Sequence, residues 1–313
     1  MPFNQRIDRS GAQALMPEDV TREIVKHVPE RSVVMQMATK ASNMSRKQRR
    51  VPVLSTFPMS YFVNGDMGLK KTTQVEWENK YFDAEEIACI VPIPEAVLDD
   101  ADYDIWGEIR PLIEESLGLT FDRAVLFGEN SPAPWPTDIL TAAGNAGNSV
   151  ALGAIGDIYD DLLSPGGVIA LVEQDGFMAN GHVADMSMRA RYRGLRDLDG
   201  NPIFKTSVQG NTSYELDGAP CYFPENGSMD VTQALQFSGN WSKVVYTMRQ
   251  DITYKILDQA VIQDASGNIV YNLAQQDMVA LRVVMRLAWQ VPNPINRLQP
   301  DEANRYPIAV LTP

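Results

Sequence analysis

FDAEEIACIVPIPEAVLDDADYDIWGEIRPLIEESLGLTFDRAVLFGE, residues 82–129, is the stretch on which the fold turns. Residues 87–93 form a short β-rich run closed by Pro92 and Pro94, and residues 94–100 read as a helical turn crowded with carboxylates. From Asp104 onward the apolar residues fall at Ile105, Ile109, Leu112, Ile113, Leu117, Phe121, Ala124 and Val125. Spacings of three and four put them on one stripe of a helix. Asp102 or Asp104 can cap its start and Gly128 its end. Pro111 predicts a kink or a restarted first turn. A helix over residues 104–127 is about 36 Å long at 1.5 Å per residue, which is long for a compact domain.

The 313 residues suffice for two or three substructures with their own cores, and 44% hydrophobic residues is ordinary for a soluble protein. No apolar run approaches the ~18 residues of a membrane span, and residues 1–20 hold no apolar core of a signal peptide. Cys89 and Cys221 are far apart and lack metal-ligand spacing, so two small buried thiols in a reducing compartment are expected. The net charge of −13 is unevenly spread. Residues 1–50 carry ten Lys/Arg against five Asp/Glu, residues 51–130 five against sixteen, and residues 131–313 twelve against nineteen. A basic arm beside an acidic body predicts that the arm lies on an acidic surface, its own or a neighbour's, or that both are simply solvated.

Residues 1–50 read as an extended arm. Val20, Ile24 and Val28 give one short helix ended by Pro29, residues 32–37 give a strand, and SRKQRR follows at residues 45–50. In an acidic protein that basic run points to surface charge or a subunit contact before a nucleic-acid patch. Residues 51–87 read as a long hairpin, β-rich up to Val63, turning at 64–68 and returning through residues 74–81. It has too few apolar positions for a core of its own, and a two-stranded ribbon is marginal alone in water, so it needs a surface to lie on.

Residues 128–149, rich in proline, glycine and small polar side chains, read as a linker or long loop. Then come a helix over 152–163, a buried strand over 168–172 and a helix over 182–195 with Arg189, Arg191, Arg193 and Arg196 on it. A turn cluster at 197–202 follows, and beyond residue 214 the chain is mostly strand. In the last long element, residues 278–290, Val279, Leu281, Val283, Met285 and Leu287 alternate with Ala280, Arg282, Val284, Arg286 and Ala288. Period two predicts a strand. Residues 308–311 predict a final short one.

Chemistry-bearing motifs are sparse. His27 and His182 stand alone, and zinc-ligand spacings, a nucleophile elbow and a phosphate loop are missing from the sequence. The run Asp99, Asp100, Asp102, Asp104 lacks the glycine and the distant glutamate of a calcium loop, so helix capping and surface charge account for it. Trp77, Trp106, Trp135, Trp241 and Trp289 are dispersed, as packing positions are. The sequence therefore predicts no catalytic site, no metal and no cofactor.

The order IPEAVLDDADYDIWGEIRPLIEESLG (93–118), DRAVLFG (122–128) and a Pro/Gly-rich loop resembles the major capsid proteins of tailed bacteriophages, which share the Hong Kong 97 fold. LDGAP (216–220), FSGNWSK (237–243) and DMVALR (277–282) resemble later motifs of that family in the same order. The resemblance implies an α+β subunit. Its parts would be an N-terminal arm (1–50), an extended hairpin loop (51–87), a peripheral domain (88–150 and 276–313) built on a spine helix at 104–127, and an axial domain (151–275). It implies self-assembly into hexamers and pentamers of an icosahedral shell around double-stranded DNA, bound without sequence specificity. Assembly in the host cytoplasm, a portal and no membrane go with it. Because the sequence starts close to the arm, a separate scaffold protein is expected in place of a fused one. The contacts expected to carry assembly are Arg46, Lys47, Arg49 and Arg50, with Lys70, Lys71 and Trp77 on the hairpin. In some members a lysine of this loop forms an isopeptide bond to a neighbour's asparagine; solvated or ion-paired Lys70 and Lys71 are the simpler expectation. Two other readings remain open here. One is an encapsulin-type cellular compartment. The other is an acidic hydrolase whose carboxylate pair lies among Asp99, Asp100, Asp102 and Asp104.

Overall fold

A computed structural model describes residues 32–63, 68–100, 104–196 and 214–313. The predicted arm helix near residues 20–28, most of the hairpin turn and the turn cluster at 197–202 lie outside the described residues.

The described chain opens with α1 (Val33–Met37), a helical turn where the sequence predicts a strand. Side chains decide this. The Ser32 hydroxyl accepts from the Met35 amide, while Asp122 accepts from Ser32 Oγ (2.5 Å) and from the amides of Val33 (2.9 Å) and Val34 (3.2 Å). A carboxylate at a helix N-terminus satisfies donors that have no partner within the helix. β1 (Thr39–Lys40) follows, then β2 (Gln48–Thr56) and β3 (Glu76–Asp83), which pair antiparallel as a separate ribbon. The ribbon begins at Gln48, so Arg49 and Arg50 belong to it and not to the arm.

β4 (Glu85–Pro94) runs through Pro92 and is not closed by it, because β4 is the edge of its sheet, where a missing amide donor costs little. After α2 (Glu95–Asp100) comes the long helix α3 (Ile105–Phe127), ended by Gly128 in the left-handed conformation (φ 70°). α3 continues through Pro111 as one helix. The predicted loop at 128–149 contains α4 (Ile139–Asn145), started by Asp138 accepting from the Thr141 amide and anchored by buried Ile139 and Ala143. β5 (Ser149–Ala151) and α5 (Ile158–Leu163) follow, the helix shorter than predicted.

The apolar run at 168–172 is α6 (Val168–Gln174), not a strand. A short apolar run does not distinguish the two, and here Val168, Ile169 and Val172 are buried at helical spacing. The predicted helix at 182–195 divides into β6 (Gly181–Ala184), fully buried, and α7 (Met186–Gly194), capped by Asp185. β7 (Glu215–Leu216), β8 (Ala219–Tyr222), β9 (Gln236–Gly239), β10 (Val245–Leu257), β11 (Val261–Gln263), β12 (Ile269–Asn272), β13 (Met278–Gln290) and β14 (Ile308–Thr312) complete the fold.

Two larger sheets result. One has the order β1-β10-β13-β4, the other β5-β14-β9-β6-β8-β7. Strand pairing links residues that are far apart in the chain. β14 joins the sheet of residues 149–239, while β10 joins β13. Strand partners are set by non-local pairing, which sequence order does not reveal. α3 crosses both sheets. One core cluster holds Leu117, Phe121 and Val125 of α3 together with Leu281, Val283 and Leu287 of β13 and Val183, Phe237 and Val310 of the second sheet. The alternate residues Ala184, Leu235, Ala309 and Leu311 face a second cluster with α5, α6 and α7. The second sheet is thus covered on both faces, which is why β6, β9 and most of β14 are buried throughout.

His182 sits fully buried in β6, with Nε2 3.0 Å from the Leu216 carbonyl and Nδ1 without a hydrogen-bond partner among the described residues. Burial pushes it down to about 4, against weaker upward pulls from the Leu216 carbonyl and Asp217. The folded chain thus refuses a proton that the unfolded chain accepts below about pH 6.5, and stability falls as pH drops from 6.5 towards 4. Urea denaturation at pH 7 and pH 4.5 should show His182→Gln losing less stability than the parent between the two, by on the order of 2–3 kcal/mol. Parallel losses in both chains would show that His182 does not carry this acid sensitivity. Separately, Asp122→Ala leaves three donors unpartnered and should cost roughly 2–4 kcal/mol in chemical denaturation at pH 7. An unchanged midpoint would remove Asp122 from that role.

Candidate assembly surface

The β2–β3 ribbon is where the sequence-predicted contact residues gather, and its two ends differ. At the base it is anchored to its own chain. Phe82 is buried in a small cluster with Met44, Ala84 and Ala288. Trp135 donates from Nε1 to the Asp83 carbonyl (3.0 Å), and Gln290 from Nε2 to the Tyr81 carbonyl (3.2 Å). The amide of Ile295 donates to the Leu54 carbonyl at 3.2 Å. Lys80 Nζ lies 2.7 Å from Glu302 Oε1. Burial works to lower Lys80, but the bond to Glu302, with Glu78 alongside, outweighs it and holds the ammonium above its ordinary value. The Arg297 guanidinium stacks 4.8 Å from the Phe57 ring.

Beyond Pro58, whose carbonyl accepts from Arg297 at 3.3 Å, the ribbon loses these anchors. Residues 57–63 and 68–75 have no regular structure, and the large side chains there stand in solvent: Phe62 at 103%, Leu69 at 92% and Met59 at 75% of full exposure, with Trp77 of β3 at 67%. Local contacts hold the shape of this segment. The Tyr61 hydroxyl donates to the Lys71 carbonyl at 2.8 Å, Lys71 Nζ lies 5.8 Å from the Tyr61 ring, and Thr73 Oγ1 accepts from the Met59 amide at 2.9 Å. Single exposed apolar residues are common, whereas several on one projecting segment mark an interaction surface.

The predicted basic residues have unequal surroundings. Lys47 pairs with Glu85 at 3.0 Å, and Arg49 donates to the Ser42 carbonyl and hydroxyl at 3.1 and 2.9 Å, so both are engaged within their own chain. Arg46 and Arg50 are exposed and have no ion-pair partner among the described residues. Lys70 and Lys71 lie towards the ribbon's far end, away in sequence from that base, and Trp77 lies opposite Leu54 on the ribbon. The contacts that sequence reading did not identify are the anchors at the base: Glu302, Arg297, Trp135 and Gln290. Their partners are more than fifty residues distant, so only the fold brings them together.

Elsewhere the structure offers little chemistry. Asp99 and Asp100 are exposed on α2, and Asp104 is exposed before α3 without making a side-chain cap; Asp102 lies outside the described residues. Among the described residues there is no group of three or more His, Cys, Asp or Glu able to hold a metal, and no helix long and apolar enough to cross a membrane.

Residues 12–297 match the profile of the phage capsid family. The major capsid protein of Staphylococcus phage 80alpha is 26% identical over 293 residues, covering 93% of this chain and 85% of that one. A solved structure from Microbacterium phage Oxtober96 is 35% identical, with a TM-score of 0.87 over 99% of this chain and all of the other. One from Mycobacterium phage Bobi is 31% identical, with a TM-score of 0.83 over 99% of each. The α+β architecture, with one long helix crossing two sheets and a projecting ribbon, is the Hong Kong 97 fold. The chain belongs to the phage capsid family.

Proposed function

We propose a division of labour within this tailed-phage major capsid protein: two cored units make the subunit, and the ribbon's far end joins it to its neighbours in a closed shell of hexamers and pentamers. The observation that carries this is the contrast along the ribbon, anchored at its base and bearing Met59, Phe62, Leu69 and Trp77 uncovered beyond it. In this reading α3 with the β1-β10-β13-β4 sheet is the peripheral domain, and the six-stranded sheet with α5, α6 and α7 is the axial domain. A heterologous contact, in which one subunit's ribbon lies on the next subunit's body, closes into rings when the rotation closes.

The subunit acts in the virion shell and has a structural role, without a catalytic step of its own. Its net charge of −13 suits a wall around packaged double-stranded DNA, since a negative surface does not trap phosphates. A separate scaffold protein, a portal and assembly in the host cytoplasm complete the reading. The matched proteins come from phages, which favours a viral shell over a cellular compartment. Asp99, Asp100 and Asp104 stand exposed, which does not favour the hydrolase reading.

Deleting residues 60–75 should leave a soluble subunit with native circular dichroism that forms no closed particles under the electron microscope. Intact icosahedral particles from that variant would overturn the ribbon's role. Replacing Arg46 and Arg50 together with Ser should lower particle yield and shift assembly to lower salt, because exposed charge pairs are screened within about 10 Å at 0.1 M salt. Unchanged yield across a salt series would remove these two from the assembly contacts.

A further inference from the structure

Charge is segregated across the six-stranded sheet. From residue 124 to residue 188 the chain has eight Asp and Glu and no Lys or Arg, and then Arg189, Arg191, Arg193 and Arg196 follow closely. The acidic and basic runs meet opposite edges of the sheet. β5 is one edge, and α5 is tied to it: Asp161 accepts from the amides of Gly153 (2.5 Å) and Ile155 (2.9 Å), just beyond β5. At the start of α5 stand Asp157, exposed, and Asp160, partly exposed, beside the exposed side chain of Tyr159. β7 is the other edge, next to β8, and α7 packs there. Tyr192 of α7 meets the Phe223 ring, one residue past β8, and the Arg189 guanidinium stacks 4.5 Å from the ring of Tyr214, one residue before β7.

Arg193 is one turn beyond Arg189 and shares its side of α7, whereas Arg191 lies on the other side. Arg193 Nε donates to the Arg189 carbonyl (3.3 Å), and Arg196 Nη1 to the carbonyls of Arg193 (2.7 Å) and Leu195 (3.0 Å), which serves the C-terminal end of the helix. Carbonyl dipoles do not neutralise three neighbouring cations, and none of the three has an ion-pair partner among the described residues. Arg193 and Arg196 are exposed. We infer that the α7 edge of one subunit docks on the α5 edge of the next, Arg193 and Arg196 facing Asp157 and Asp160. Two features favour a second copy as the partner. The complementary charges are already on this chain, but at ~4.8 Å per strand the edges of six strands stand about 24 Å apart, too far to pair within one subunit. Opposite edges are also what a head-to-tail contact needs if it is to close a ring.

The inference rests on the reading of the chain as a shell subunit and is tested on the full-length chain. Rings are measured by sedimentation and closed particles by electron microscopy, with circular dichroism of the unassembled subunits. Parent rings that never close would count against the shell reading alone. Arg193→Glu with Arg196→Glu should lower the yield of rings about tenfold, because like charges then face each other across the contact. Adding Asp157→Lys and Asp160→Lys to that chain exchanges the signs and should bring the yield back to within about threefold of the parent. Arg191→Glu, on the other side of α7, should leave the yield unchanged. Asp157 caps α5, so a chain with Asp157→Asn and Asp160→Asn, which keeps a capping side chain, tests the acidic edge where the exchanged chain fails to fold. Its yield should also fall. Parent yield from the Arg193→Glu, Arg196→Glu chain or from the folded asparagine chain would overturn the inference. So would an equal loss from Arg191→Glu, or no recovery in an exchanged chain with native circular dichroism. Normal rings and shells that hold less DNA would assign the arginines to phosphates and overturn it as well.

Discussion

One buried carboxylate fixes where the N-terminal part of the chain meets the body. Asp122 lies on the enclosed side of α3 with no exposed surface, a position an unpartnered carboxylate does not tolerate. Its partners are the Ser32 hydroxyl and the Val33 and Val34 amides, so the charge is met by the start of α1. Gly118, one turn earlier, permits the approach. The consequences run outward along the chain. With α1 held, Thr39 pairs beside Val245 and Lys40 beside Tyr246, and the amide of Met44 reaches the Met248 carbonyl. That placement delivers Gln48 to the start of the ribbon opposite Asp83. The ribbon's direction is thus set partly by an interaction on the far side of the four-stranded sheet.

β13 transmits the rest. Leu281, Val283, Met285, Leu287 and Trp289 face α3 in the main core, while Ala288 faces Met44, Phe82 and Ala84 at the ribbon's base. Ala288 is fully buried, and its small side chain leaves room for Phe82 to pack. Arg286 reaches across to Glu86 on β4 from Nε at 2.8 Å, tying the outer face of the sheet at the register set by the ladder. On the other side of the strand, Tyr254 of β10 donates to Glu114 of α3 at 2.5 Å, and Arg110 stacks on its ring. The long helix and the long strands are therefore bound by apolar packing in the middle and by polar contacts at the rim.

The elements legible in the sequence are those whose pattern is long enough to be unambiguous. The stripe from Ile105 to Val125 and the alternation from Val279 to Ala288 each repeat several times, and α3 and β13 follow them. Residues 33–37, 168–174 and 181–184 hold too few positions for a period to show, and there tertiary burial and caps decide. Residues 139–145 were hidden by the prolines and glycines around them. The sheet assignments of β10 and β14 depend on partners more than thirty residues away, a relation that local pattern does not contain. Asp122 left little signal: it falls beside the apolar stripe, four residues after Gly118, and its burial against Ser32 appears only in the fold. The basic run left a misleading one, since Lys47 and Arg49 find Glu85 and Ser42 in their own chain once the ribbon folds.

The separation of anchored base from uncovered end has an energetic meaning for a subunit that must be stable before it assembles. Burying one large aliphatic or aromatic side chain contributes about 1.5–3 kcal/mol, so leaving Met59, Phe62, Leu69 and Trp77 exposed withholds several kcal/mol from folding. Neither of the two larger core clusters includes them. Held in reserve, that energy becomes available only on contact with another surface, where part of it offsets the lost freedom of association. A single such contact is then modest, and a misplaced subunit dissociates. Around a ring the contact repeats, each subunit is held on two sides, and the effective concentration of the second contact makes the closed form far more stable than any open one. In the proposed contact the anchors at the base have a part: Lys80, Arg297 and Phe82 fix the base of the ribbon to the body, which lowers the freedom that docking would have to restrict.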